Sequence, residues 1–253
     1  MKNEQTNNVR LGLNFDNSVY SDNSDTTMRK ILVPTDFSEN ARRAVEYALT
    51  VANAVEADLH IVHTIHTRGS AGHFLSIDDI VMRERQEELD KLVKELQPRL
   101  SAAVTLTSSV KQGYVVDAIL ETAAKQQADA IVMGTQGASG LRRWVLGSTT
   151  VELLKNNTLP LIAVPNEYTA PTSKKLCLAV DAAQLRDMSL LSPAVLLAQK
   201  LQLGVHLLHI TKESAATTDV SERLHLYLQQ LGVQYTLHRV QSADIEQGIK
   251  DFV

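Results

Sequence analysis

The chain has 253 residues, of which 44% are hydrophobic, 21% charged and only 4% aromatic, the composition of a folded protein with an aliphatic core. Its 25 basic and 29 acidic residues leave a net charge of −4, which gives no electrostatic case for nucleic acid or an anionic membrane surface. A single cysteine, Cys177, excludes an internal disulfide, and no stretch approaches the ~20 apolar residues of a membrane span. The N-terminus is too polar for a signal peptide, so a cytoplasmic protein is expected.

Residues 1–28 are rich in Asn, Ser, Asp and Thr without sustained periodicity and read as a disordered arm. A strand over 31–33 then stops at Pro34, and Ser38 is placed to cap a helix with an inward stripe of Ala41, Ala44, Val45, Ala48, Leu49 and Ala52. Residues 59–65 form a second β-rich run. Ser76 and Asp79 resemble a capping box opening a long charged helix that ends before Pro98. A third strand is expected over 104–110, a helix over 114–127 and a fourth strand over 130–133. After a glycine-punctuated loop, a helix starts near Ser148, and 160–164 reads as a fifth strand. Strands separated by helices imply a doubly wound, parallel, five-stranded α/β sheet of order 3-2-1-4-5, covered on both faces.

The first α/β unit therefore spans 29–165, followed by a linker over 166–174. The pattern then restarts over 175–253. Lys175-Leu-Cys-Leu-Ala-Val-Asp181 echoes Lys30-Ile-Leu-Val-Pro-Thr-Asp36, and Val205-His-Leu-Leu-His209 echoes Leu59-His-Ile-Val-His63. The offsets are 145 and 146 residues, so this is a tandem duplication in near-perfect register. Residues 242–253 match 113–124 at a shorter offset of 129, and the second copy is expected to be partial, without a glycine loop or final strand.

Chemistry concentrates in Gly134-Thr-Gln-Gly137-Ala-Ser-Gly-Leu-Arg-Arg-Trp-Val-Leu-Gly147-Ser148-Thr149, between a predicted strand and a predicted helix. A glycine at a strand end allows the backbone to approach a ligand. Gly147, Ser148 and Thr149 fall where a helix begins, where unpaired amides and the positive end of the dipole favour an anion. No Lys follows the last glycine and the spacing is not G-x-G-x-x-G, so neither a Walker A loop nor a dinucleotide fingerprint is present. With strand order 3-2-1-4-5 the ligand crevice falls between strands one and four, flanked by Asp36 and Gly134.

These residues resemble the universal stress protein family in its tandem form. Gly134, Gly137, Gly147 and Ser148 match the G-x2-G-x9-G-[S/T] pattern of its ATP-binding subclass, and the runs at 31–38 and 62–65 are similar to that family too. The resemblance implies a stress-response or regulatory protein that binds ATP, with Mg²⁺ bridging the phosphates. It would place Pro34, Asp36 and Thr64 around adenine and ribose and Met133 and Gly134 beside the ribose. Gly137, Gly147, Ser148 and Thr149 would hold the phosphates. It further implies pairing between the two copies, while the fifth strand, as a sheet edge, could pair across a two-fold axis in a homo-oligomer. The second copy keeps Asp181 but has Ala179 where the first has Pro34, and no nucleotide site is assigned to it.

Plainer readings stand beside these. The glycines could be turn punctuation, Asp36 could brace the following helix, and Arg142 and Arg143 could be solvated surface charges. Trp144 is expected to pack inward. His60, His63 and His66 tempt a metal reading, but residues three apart on a strand face opposite ways. Cys177 reads as a small core residue, and the charged run over 83–95 as a solvated helix face. No spacing announces a nucleophile or a general base, so no catalytic residue is assigned and at most slow ATP hydrolysis is expected. A partner-binding module with a vestigial pocket is the alternative.

Overall fold

The computed structural model describes residues 27–65, 77–135, 147–166, 174–180, 187–211 and 219–252. The chain divides into two compact units, one over Met28–Pro171 and the other over Thr172–Val253.

The first unit follows the expected order: β1 (Lys30–Thr35), α1 (Glu39–Val55), β2 (Asp58–Ile65), α2 (Ile77–Leu96), β3 (Leu106–Gln112), α3 (Val115–Gln126), β4 (Ala130–Gly134), α4 (Ser148–Asn156) and β5 (Leu161–Val164). All five strands are parallel in the order β3-β2-β1-β4-β5. The first helix begins where the sequence supplies a cap. Ser38 accepts the Ala41 amide at 3.2 Å and opens α1, which closes at Glu56 in a left-handed conformation. The alanine-rich stripe is buried as expected, and its small side chains let α1 lie close over β1, β4 and β5.

The opposite face of the sheet carries Leu32, Val62, Ile131 and Met133 against Val116, Ile119 and Ala123 of α3 and Leu153 of α4. Ile31 and Ile61 on one face and Leu32 and Val62 on the other are fully buried, so both faces of the central strands are dry. The third strand lies two residues later than expected. Val104 is buried, but its amide turns back to the Ser101 carbonyl at 3.1 Å, and the Asp58 carboxylate holds the Thr105 amide at 2.8 Å. Pairing with β2 starts at Leu106 for that reason. Ser76, His66, Trp144, Arg142 and Arg143 lie outside the described residues.

The second unit comprises β6 (Lys175–Ala179), α5 (Ser192–Lys200), β7 (Gly204–Thr211), α6 (Asp219–Gln230), β8 (Tyr235–Gln241) and α7 (Ile245–Phe252). Its three parallel strands run β6-β7-β8, and Leu178, Val205 and Leu207 pack on Val195, Ala198, Leu224 and Leu228. Cys177 is half-buried and faces across to His206, and burial raises its thiol pKa, so it behaves as a small packing residue. Asp181 lies outside the described residues. Among the described residues no helix is long and apolar enough to cross a membrane.

Candidate functional site

The sheet opens at one place. β1 stays paired with β2 as far as Thr35 and His63, and β4 with β5 as far as Gly134 and Val164. Between β1 and β4, however, pairing ends at Leu32 and Ile131. Proline accounts for this. The Lys30 carbonyl accepts the Asp129 amide at 2.8 Å, so the even-numbered residues of β1 turn their backbone groups toward β4. Pro34 belongs to that set and has no N–H to offer, which removes the next rung of the ladder. The carboxyl ends of β1 and β4 part there, at the point where strand order reverses.

Period-two alternation puts Pro34 and Thr64 on the face shared by Leu32, Val62 and Met133, beneath α3 and α4. Pro34 and Thr64 are half-buried, and Met133 is 7% exposed. Asp36 is exposed just beyond β1, and its Oδ1 accepts the Ser38 amide at 3.0 Å. The bracing role expected for Asp36 is thus present, and the carboxylate still stands at the mouth of the crevice. The turn it braces puts Phe37 at φ 61°, where its ring lies 4.7 Å from that of His63 on the other face of the sheet.

Gly147 is the N-cap of α4, with φ −61° and ψ 155°. It supplies no side chain to cap the helix, and no acidic residue stands in the first turn. The amides of that turn stand beside exposed Ser148 and half-buried Thr149, with neither a side-chain cap from residue 147 nor an acidic residue of the turn to meet them, a setting that favours an anion. Gly147 is tied to the end of β4, since its amide donates to the Thr135 carbonyl at 2.6 Å. Buried Thr150 adds a bond from Oγ1 to the Gly134 carbonyl at 3.2 Å. The structure therefore brings Pro34, Asp36, Thr64, Met133, Gly134, Gly147, Ser148 and Thr149 to one end of the sheet. Gly137 lies outside the described residues.

The histidines divide as their spacing requires. His60 is 3% exposed and lies between the Thr107 and Ser109 hydroxyls, each at 2.8 Å. His63 points the other way and donates from Nδ1 to the Thr35 carbonyl at 2.8 Å. Burial, with smaller pushes from Lys30 and Lys111, lowers the His60 pKa to about 4, so its imidazole is neutral at physiological pH. Thr135 and Thr150 were not singled out from the sequence. Their signal was position alone, one directly after the strand-end glycine and one three residues after Gly147.

A doubly wound parallel sheet of order β3-β2-β1-β4-β5 that parts between β1 and β4, with a glycine-capped helix following β4, is a Rossmann-like α/β domain. The sequence profile of the universal stress protein family matches residues 27–165, more than half of the chain, and the chain belongs to that family. Universal stress protein MJ0531 of Methanocaldococcus jannaschii is 29% identical over 147 residues, covering 56% of this chain and 85% of that protein. A universal stress protein structure from Archaeoglobus fulgidus matches with a TM-score of 0.66 at 20% identity, over 88% of this chain and 81% of that one, a likeness of fold. A universal stress protein solved in complex with cAMP also matches, at 24% identity and a TM-score of 0.42, over 54% of this chain and 96% of that one.

Proposed function

We propose that this member of the family is an ATP-binding regulatory protein of the stress response, with one nucleotide site in its first unit. Pro34, Asp36 and Thr64 would contact adenine and ribose, Met133 and Gly134 the ribose side, and Gly137, Gly147, Ser148 and Thr149 the phosphates. The observation that supports this reading is the gap between β1 and β4 beyond Leu32 and Ile131, on whose α3/α4 face the side-chain-uncapped turn of α4 begins. A polyphosphate suits that turn because its charge meets amides and the helix dipole in place of a side chain. Mg²⁺ would enter with the phosphates and offset their charge; among the described residues no three His, Cys, Asp or Glu side chains group around a metal position.

A cytoplasmic setting belongs to the same proposal and rests on the lone cysteine. So does self-association through β5, which pairs with β4 alone among the described residues. Light scattering on the purified chain reads the latter directly.

The site is tested by acid extraction of the purified protein, identification of any released nucleotide, and titration with a fluorescent ATP analogue with and without Mg²⁺. ATP should be released or taken up, and Gly137→Val and Ser148→Ala should each weaken it. A chain that neither carries nor binds ATP, and is indifferent to Gly137→Val, refutes the reading.

A further inference from the structure

Asn40 stands in the first turn of α1 and is 4% exposed, a polar side chain beside a stripe of buried alanines. Its Nδ2 donates to the Val164 carbonyl at 3.2 Å, across 124 residues of chain. The same carbonyl accepts the Thr135 amide at 3.0 Å, and the Thr135 carbonyl in turn accepts the Gly147 amide at 2.6 Å. A continuous path of hydrogen bonds therefore runs from Asn40, through the end of β5 and the end of β4, to the N-cap of α4.

Gly134 completes the arrangement. It is not among the glycines of positive φ, so backbone strain does not explain the missing side chain. A Cβ built there would lie 2.8 Å from Asn40 Cγ, 3.1 Å from the Asn40 carbonyl carbon, and inside contact distance of Asn40 Oδ1. The strand-end glycine makes room for Asn40.

We propose that Asn40 is the positioning residue of the nucleotide site, its amide wedged between Gly134 and the Val164 carbonyl to fix the end of β4 and, through Thr135, the first turn of α4. The inference rests on the ATP-binding reading and deepens it. Asn40 touches no ligand; it sets where the phosphate-facing amides of Ser148 and Thr149 stand relative to the crevice. The missing side chain of the first motif glycine then serves the protein's own packing while its backbone stays on the ribose side, and the later positions serve the phosphates. A polar residue is needed at position 40 because the Val164 carbonyl at the close of β5 has a second lone pair to satisfy in a buried place.

The test is a double-substitution cycle on the full chain, with Asn40→Ala, Gly134→Ala and the pair together. Each protein is titrated with a fluorescent ATP analogue, and ATP and adenosine are compared as competitors. Asn40→Ala should weaken ATP about tenfold and adenosine less than about twofold, because the phosphate half of the site moves and the nucleoside half does not. Gly134→Ala should weaken ATP beside Asn40 but add little in the Asn40→Ala background, where the two nearest atoms, both in the side-chain amide, are gone.

Amide exchange without nucleotide gives an independent reading, with faster exchange at Thr135 and Gly147 expected in Asn40→Ala and no change at Ile61. Equal losses of ATP and adenosine overturn the proposal. So does a Gly134→Ala penalty that ignores residue 40, which would assign that glycine to the ligand. Asn40→Ser, smaller but still able to donate, serves if the alanine variant does not fold. Unfolding of both overturns the proposal, since Asn40 would then support the whole core. Should the native chain bind no ATP, the reading of the previous section fails, and exchange at Thr135 and Gly147 alone decides whether Asn40 fixes this turn.

Discussion

The Asp129 carboxylate accepts the Lys30 amide at 2.9 Å, and the same oxygen accepts the Arg29 amide at 2.7 Å. One half-buried side chain at the start of β4 thus fastens the amino end of β1, while the carboxyl ends of the same two strands part beyond Leu32 and Ile131. The crevice is a wedge, closed at one end by a carboxylate and opened at the other by a proline.

Removing the fastening should cost stability. Asp129→Ala leaves two backbone amides without their charged acceptor, and a loss of about 2 kcal/mol is expected. Asp129→Asn keeps an oxygen without the charge and should lose about half as much. Urea unfolding with an unchanged slope reads both, and an alanine variant as stable as the native chain would show that the ladder holds β1 by itself.

His60 gives the fold a pH dependence with a definite sign. Its pKa is about 4 in the folded chain, against an ordinary value near 6.5, because burial disfavours the imidazolium. Between those values the unfolded chain binds the additional proton, so stability rises with pH. The contribution is complete above pH 6.5 and is lost as the pH falls toward 4, at no more than about 1.4 kcal/mol per pH unit. His60→Gln should flatten that part of the curve in urea titrations at pH 4.5, 5.5 and 7.5. A slope identical to that of the native chain would assign the dependence to other groups.

How far the sequence reveals this arrangement depends on whether a relationship is local or tertiary. Ile31, Leu32 and Val33, and Leu59, Ile61, Val62 and Ile65, are apolar and buried because both faces of a central parallel strand are covered, and they are visible without any structure. The Ser38 cap is likewise a relation between residues three apart. Val104 misleads because it is buried from within a turn, where apolarity carries no strand pairing. Asn40 is invisible for a stronger reason: its partners Gly134 and Val164 lie about a hundred residues on, and nothing in its own neighbourhood requires an amide. The second unit repeats the lesson. His206 stands 146 residues after His60, yet its Nδ1 meets His238 Nε2 at 2.8 Å where His60 meets two hydroxyls. Register conserves the histidine, and the partners on the adjoining strand determine what it does.

Thr150 should be resolvable from its neighbours in α4. Its hydroxyl donates to the Gly134 carbonyl from a position 2% exposed, and Thr150→Val retains the shape without the donor. A loss of about 1 kcal/mol is expected, with faster exchange at the Gly147 amide. If neither changes, the bond from Gly147 to Thr135 suffices to dock α4 on β4.

Gly147 offers the sharpest separation of stability from binding. Its φ of −61° and ψ of 155° are open to any residue, so the glycine is not there for its backbone. As an N-cap, serine exceeds glycine by a few tenths of a kcal/mol because its hydroxyl accepts an amide of the first turn, and alanine falls about 1 kcal/mol below the best caps. Gly147→Ser should therefore raise the unfolding midpoint slightly while its own oxygen occupies an amide meant for phosphate, weakening ATP by about fivefold to tenfold. Gly147→Ala should do the reverse, with a lower midpoint and nearly native affinity, since its methyl group competes for no amide. Thermal unfolding and nucleotide titration on the same preparations give both axes. If serine and alanine weaken ATP alike, the glycine admits the ligand by its small size. If serine binds ATP as tightly as glycine does, the first-turn amides of α4 are not what holds the phosphates.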